Sequence, residues 1–226
     1  MENLRSQIKA LEQSLPALSP EQGELLDRAT REIALSGIAE RVLKAGEQAP
    51  DFTLPNAVGL PITLSSALQT GPVVLTFYRG IWCPYCNLQL KAYQKILPEI
   101  FKLGASLMAV SPQNPDKSQA TLLKNFLQYE VLSDAGNRVA RQFGLVYQVP
   151  EWARSLYISF GTDLPAFNDD PSWELPIAGT FVIGRERRIL AAYADSDSRN
   201  RMEPEAILQA LRAVASTGSD LVGEPF

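Results

Sequence analysis

The chain has no histidine among its 226 residues. That absence removes Ser-His and Cys-His hydrolases, imidazole general bases and histidine metal sites together. Cysteine is almost missing too, with Cys83 and Cys86 the only two. A tetrahedral zinc site takes about four ligands, so neither a metal nor another cofactor is expected. No apolar run approaches the ~20 residues of a membrane span. The N-terminus Met1-Glu-Asn-Leu-Arg is not followed by a signal-type apolar core, so a cytoplasmic address and no membrane partner are expected. A net charge of −4 gives no reason to expect nucleic acid. There is no Walker-type loop, internal repeat or low-complexity tract. Asp195-Ser-Asp197-Ser opens like a calcium loop but lacks the central Gly and the terminal Glu.

What remains is an ordinary globular composition, 46% apolar and 20% charged, in a chain long enough for one well-packed domain with additions. The informative stretch runs from Val73 to Leu90. Val73 to Phe77 is a short unbroken apolar or β-branched run, which predicts a buried strand. A turn at Arg79-Gly80 follows, then Cys83-Pro-Tyr-Cys86. From Cys86 the apolar period becomes helical, with Leu90, Tyr93, Leu97 and Ile100 at steps of four, three, four and three. A C-x-x-C at the first turn of a helix is a redox arrangement, because unpaired amides and the positive helix end favour the reactive thiolate. Cys86 shares the apolar stripe and should face the core, whereas Cys83 should sit at the exposed tip. Pro84 suits the first helical position. Without histidine, a thiolate must be activated by the helix terminus and a cation, and Arg79 is the nearest candidate in sequence. Two inert buried cysteines are the bland alternative.

Residues 1–45 read as a helical extension. Leu4, Ile8, Leu11, Leu15 and Leu18 form one stripe. Ser19-Pro20-Glu21-Gln22 reads as a capping box opening a second helix toward Lys44, with Leu26, Ile33 and Val42 as its buried candidates. These helices either cover the main domain or form a homodimer contact. From Gly46 to 226 the pattern is a single domain: a strand near 49–54 with a hairpin partner near 59–64, the strand at 73–78, and the cysteine helix, which Pro98 should kink or end. A strand near 105–110 and a helix near 116–127 come next, then a strand at Val131-Leu132 and a small helix capped by Ser133-Asp134. Residues 148–176 break that rhythm: a short helix through Trp152, Leu156 and Phe160, then an ordered loop rich in proline. Their aromatics either wall an active site or form local core. Thr180–Ile183 and Ile189–Tyr193 form an antiparallel hairpin around a basic, solvated turn, and a last helix begins at Glu203-Pro204. Residues 217–226 read as a loose tail. Alternating strands and helices imply an α/β fold with a central mixed sheet flanked by helices.

The order resembles the thioredoxin-like fold, and more closely the peroxiredoxin branch, the alkyl hydroperoxide reductase and thiol-specific antioxidant (AhpC/TSA) family. The landmarks are Gly46 with Ala49-Pro-Asp-Phe-Thr-Leu54, Val74 to Tyr78, Val131-Leu-Ser-Asp134 with Phe143-Gly-Leu145, and Gly179-Thr-Phe-Val-Ile183. The segment Phe77-Tyr-Arg-Gly-Ile-Trp-Cys-Pro-Tyr-Cys86 is similar to that of one peroxiredoxin-like subgroup. The family's Pro-x-x-x-Thr-x-x-Cys, anchored on Phe77-Tyr78, places its peroxidatic cysteine on Cys86, its Thr on Cys83 and its Pro on Arg79. The family's arginine before the strand at 180 falls on Ala178, and thioredoxin's cis-Pro falls near the same point, where only Pro176 is close.

The resemblance implies an antioxidant thiol peroxidase. Hydrogen peroxide or an alkyl hydroperoxide would be reduced by a Cys83/Cys86 dithiol–disulfide cycle, with a thioredoxin-like or other thiol reductant closing the turnover. Arg79 would assist the thiolate, and Tyr78, Trp82 and Pro84 would contact substrate. Peroxiredoxin logic makes Cys86 the attacking sulfur, and thioredoxin logic makes it Cys83. A protein dithiol–disulfide oxidoreductase and a non-enzymatic redox sensor are the alternatives.

Overall fold

The computed structural model describes residues 3–217, so most of the expected tail lies outside the described residues. The chain opens with helices α1 (Leu4–Ser14), α2 (Pro20–Leu35) and the short α3 (Ile38–Arg41). Strands β1 (Thr53–Pro55) and β2 (Pro61–Thr63) form the expected small hairpin, and α4 (Leu64–Ala67) leads into β3 (Val73–Phe77). The cysteine helix α5 spans Pro84–Lys102 and is followed by β4 (Ser106–Ser111), α6 (Pro115–Asn125), β5 (Glu130–Ser133) and α7 (Arg138–Gln142). Then come β6 (Val146–Gln148), α8 (Glu151–Ser159), α9 (Leu164–Asn168), β7 (Glu174–Pro176), β8 (Ala178–Ile183), β9 (Ile189–Asp195) and α10 (Pro204–Thr217).

The main sheet has five strands in the order β5-β4-β3-β8-β9. The β3–β4 and β4–β5 pairs are parallel, while β3–β8 and β8–β9 are antiparallel. This is the mixed α/β sheet of the thioredoxin-like fold. β3 lies at its centre, and all five of its residues are buried, as an unalternating apolar run requires. Its pleat splits the core. Val73, Leu75 and Phe77 face one layer, where Phe77 packs on Phe143 and Phe181 with ring centroids 4.9 and 6.0 Å apart. Val74 and Tyr78 face the other layer, beneath α5, together with both cysteines.

α5 buries Cys86, Leu90, Tyr93, Leu97 and Ile100, the stripe read from the sequence. Pro98 does not end it; the helix continues to Lys102. An interior proline costs ~3 kcal/mol, and burying Ile96, Leu97 and Ile100 contributes about 1.5–3 kcal/mol each. The packing outweighs the break.

Several expectations change at the ends. α1 sinks Leu4 and Ile8 into the cysteine-side layer, and its first two amides, of Leu4 and Arg5, donate to the Glu203 carboxylate at 2.8 and 2.9 Å. The capping box of α2 is present. That helix stops at Leu35, however, because Gly37 turns the chain at φ 69°, and Leu26 and Ile33 are only half-buried. Val42 is buried, but beyond α3. Residues 148–176 are more ordered than a loop: α8 and α9 sit between β6 and β7, which pair antiparallel. The basic hairpin turn is not simply solvated. The Ala49 amide donates to the Arg187 carbonyl at 2.7 Å, and the Arg187 guanidinium returns a bond to the Ala49 carbonyl at 3.1 Å. No described helix is long and apolar enough to cross a membrane.

Candidate active site around the cysteine pair

β3 ends in mid-sheet, and the chain must leave it and enter α5 within a few residues. The Tyr78 amide holds the exit by donating to the Val110 carbonyl at 2.9 Å. Gly80 makes the turn at φ 156°, where a Cβ would meet the Trp82 indole nitrogen at 2.4 Å. Two side chains then fix the loop. The Ile81 amide donates to Gln113 Oε1 at 2.7 Å, and Asn87 Nδ2 donates to the carbonyls of Ile81 and Cys83 at 2.7 and 3.0 Å. Cys83 is the N-cap of α5 and Pro84 its first residue, so the Cys83 sulfur accepts the Cys86 amide at 3.4 Å. The helix terminus thus presents its orphan amide to sulfur.

Both cysteines are free and both are 0% exposed. Cys83 is therefore not at an exposed tip. Its sulfur turns inward into the layer that holds Leu4, Ile8 and Tyr78, and Arg79 Nη2 reaches back to it at 3.1 Å. The Arg79 guanidinium also lies 5.2 Å from the Trp82 ring centroid, and Trp82 meets Tyr157 edge-to-face at 5.8 Å. Burial pushes the Tyr147 phenol up, with Tyr157 adding to the shift and Arg79 opposing it. Tyr157 of the irregular segment and Tyr147 of β6 thus lie beside the site.

Arg201 was not singled out from the sequence, yet it reaches the second sulfur. Its Nη2 lies 3.6 Å from Cys86 Sγ, its Nη1 donates to Gln89 Oε1 at 2.8 Å, and Nε and Nη2 donate to the Ser198 carbonyl at 2.8 and 2.6 Å. Gln89, one turn beyond Cys86, donates in turn to hydroxyls of Thr76, Tyr93 and Thr180. No local signal announces Arg201, which stands 115 residues from Cys86 in the chain.

The two sulfurs influence each other's ionisation and titrate as a pair. Burial opposes ionisation of both. At Cys86 that penalty is outweighed by the Cys83 thiol hydrogen bond and by Arg201 and Arg79, so Cys86 falls well below the ordinary thiol range. At Cys83 burial and its donation to Cys86 hold the proton well above that range, despite Arg79. The two buried sulfurs thus lie between two guanidinium groups, Arg79 on Cys83 and Arg201 on Cys86. Tyr78 is fully buried, its hydroxyl accepting from Gln113 Nε2 at 3.2 Å, and burial pushes its phenol up to about 12. Trp82 and Pro84 are half-buried. Arg79 Nε and Trp82 Nε1 are buried donors without an acceptor, so an oxygen brought here finds N–H groups already desolvated. Among the described residues no group of His, Cys, Asp or Glu is placed to hold a metal.

The AhpC/TSA family model matches residues 45–192. A protein of Mycobacterium tuberculosis named as a peroxiredoxin is 31% identical over 175 residues, covering 77% of this chain and 99% of its own. Peroxiredoxin Bcp of Escherichia coli is 32% identical over 103 residues, 46% of this chain and 65% of its own. The crystal structure of peroxidoxin BcpB from M. tuberculosis superposes with a TM-score of 0.60 at 27% identity, covering 76% of this chain and 98% of that one.

Proposed function

The chain belongs to the AhpC/TSA family and is a peroxiredoxin-type oxidoreductase; from that premise we propose that Cys86 reduces hydrogen peroxide or an alkyl hydroperoxide and that Cys83 resolves the product as a disulfide. The observation that carries this reading is the placement of both sulfurs at the first turn of α5, with Arg79 Nη2 3.1 Å from Cys83 Sγ and Arg201 Nη2 3.6 Å from Cys86 Sγ. The Cys86 thiolate attacks the terminal peroxide oxygen. An S–O bond forms as the O–O bond breaks, sulfur is oxidised to sulfenic acid, and the leaving alkoxide takes the Cys83 proton to depart as alcohol (water for hydrogen peroxide). Cys83, now a thiolate beside Arg79, attacks the Cys86 sulfur; an S–S bond forms and hydroxide leaves, protonated by solvent. A thioredoxin-like or other dithiol reductant then restores the pair by exchange, in a cycle suited to the reducing cytoplasm. Residues 46–226 form the catalytic unit, and residues 1–45 a helical extension whose Leu4 and Ile8 close the cysteine side.

The complete burial of both sulfurs favours a small peroxide over a protein disulfide as the oxidant, and it requires the start of α5 to open before a protein reductant can exchange with the disulfide. Stopped-flow oxidation by peroxide, run beside an insulin-reduction assay, separates the two activities. Fast peroxide oxidation with slow insulin reduction is expected. A rate no greater than that of a free thiol ends the proposal.

A further inference from the structure

We propose that Arg201 is a catalytic residue, the cation that holds the Cys86 thiolate and the developing S–O bond, with Gln89 as its positioning residue; this rests on the assignment of Cys86 as the attacking sulfur. The first ground is contact, since the guanidinium stands 3.6 Å from Cys86 Sγ. The second is charge accounting. Arg201 is 7% exposed, and its hydrogen bonds go to a neutral side-chain amide, a neutral carbonyl and sulfur. None of the ion pairs found among the described residues includes it. Asp197 senses it only at longer range. A buried guanidinium without a contacting carboxylate is costly unless an anion lies beside it, and the group beside it that can become one is the Cys86 thiolate.

The third ground is rigidity. Bonds to Gln89 Oε1 and to the Ser198 carbonyl leave Nη2 aimed at the sulfur, so little reorganisation is needed when charge moves toward oxygen. Gln89 is itself held on Thr76, Tyr93 and Thr180, side chains rooted in β3, α5 and β8. The proton for the leaving group comes from Cys83. Arg201 lies in the β9–α10 connection, beyond residue 192 where the family match ends. The same connection ties into the scaffold at both sides, with Tyr93 Oη donating to the Met202 carbonyl and Glu203 capping α1. Arg201 also lines a small surface recess with Arg5, Ile8, Tyr193, Arg199 and Asn200.

The test places Arg201→Gln, Arg201→Lys and Gln89→Glu in the full chain carrying Cys83→Ser, so that Cys86 is the one thiol. Iodoacetamide alkylation is followed against pH, and oxidation by hydrogen peroxide at about neutral pH. The groups facing the sulfur are then Arg79, Arg201 and Tyr78. Arg201→Gln should raise the alkylation midpoint by ~1–2 pH units and slow peroxide oxidation roughly 10–100-fold. Arg201→Lys should recover part of both. Gln89→Glu preserves shape and gives Arg201 a competing carboxylate, so it should raise the midpoint by about 1 unit; it decides the matter if Arg201→Gln fails to fold. Unchanged midpoints in the folded variants would overturn the proposal. The alkylation readout needs no peroxide chemistry. A parent chain inert to peroxide but with a shifted midpoint in Arg201→Gln would therefore retire the peroxidase reading and the S–O role, while leaving Arg201's hold on the thiolate standing.

Discussion

Replacing Arg79 with Met removes the charge nearest the cysteine pair while keeping an apolar stem against Trp82. The guanidinium lies 3.1 Å from Cys83 Sγ and favours the charged form of both sulfurs. A unit charge at that distance would interact with a thiolate on Cys83 by about 5 kcal/mol at an effective dielectric of ~20, which sets a ceiling of roughly 4 pK units for an anion on either sulfur. Three features lower it: the charge is spread over the guanidinium plane, Arg79 keeps some contact with solvent, and Arg201 stays in place. The expected outcome is a rise of ~1–3 units in the first ionisation of the pair. Ultraviolet absorbance of the thiolate during a pH titration measures this directly, and stopped-flow oxidation near neutral pH should slow about tenfold per unit of rise. Arg79→Lys should fall between the two proteins, since it restores charge without the planar fork. Superimposable titrations for Arg79→Met and the parent, with the near-ultraviolet signal of Trp82 intact, would remove Arg79 from the activation of either sulfur.

The remaining expectations concern the same pair and the scaffold behind it. Cys86→Ser should abolish peroxide consumption, whereas Cys83→Ser should still form sulfenic acid once, detectable by dimedone labelling and mass spectrometry; the reverse pattern would exchange the roles. Because the Cys86 thiol is depressed, its thiolate survives acidification through the ordinary value of 9.0, so alkylation of the wild-type chain should stay level there and fall only at lower pH. A decline centred on 9.0 would contradict that sign. Gly144→Ala should destabilise by about 2–4 kcal/mol in urea unfolding, since a Cβ at φ 74° would sit 2.0 Å from the Arg41 carbonyl oxygen. Coincident unfolding midpoints would show that the contact relaxes at little cost.

How legible these features were depends on how local their causes are. The strand, the turn and α5 could be read because consecutive residues carry the signal: an unbroken apolar run, then a helical period beginning at Cys86. The β8–β9 hairpin was legible for the same reason. Pro98 does not end the helix because the cost of a proline is local, while the burial of Leu97 and Ile100 that offsets it depends on the sheet. Cys83 was expected outside because the N-cap precedes the stripe. Its burial is decided by α1 and by Arg79 folding back over the sulfur, which no spacing encodes. Arg201 and Tyr147 reach the site through tertiary contacts across the chain, and single residues at that separation leave no periodic trace.

The placement of the two guanidinium groups bears on what happens after the sulfurs have joined. Oxidation consumes the negative charge between them, and neither arginine has a carboxylate among the described ion pairs to turn to. The oxidised protein therefore keeps two neighbouring, largely sequestered positive charges with nothing to neutralise them. Such a couple is biased toward its reduced member, as in oxidoreductases whose dithiol form is electrostatically favoured. The bridge should accept electrons willingly, and the interior of the protein itself helps drive each turnover home.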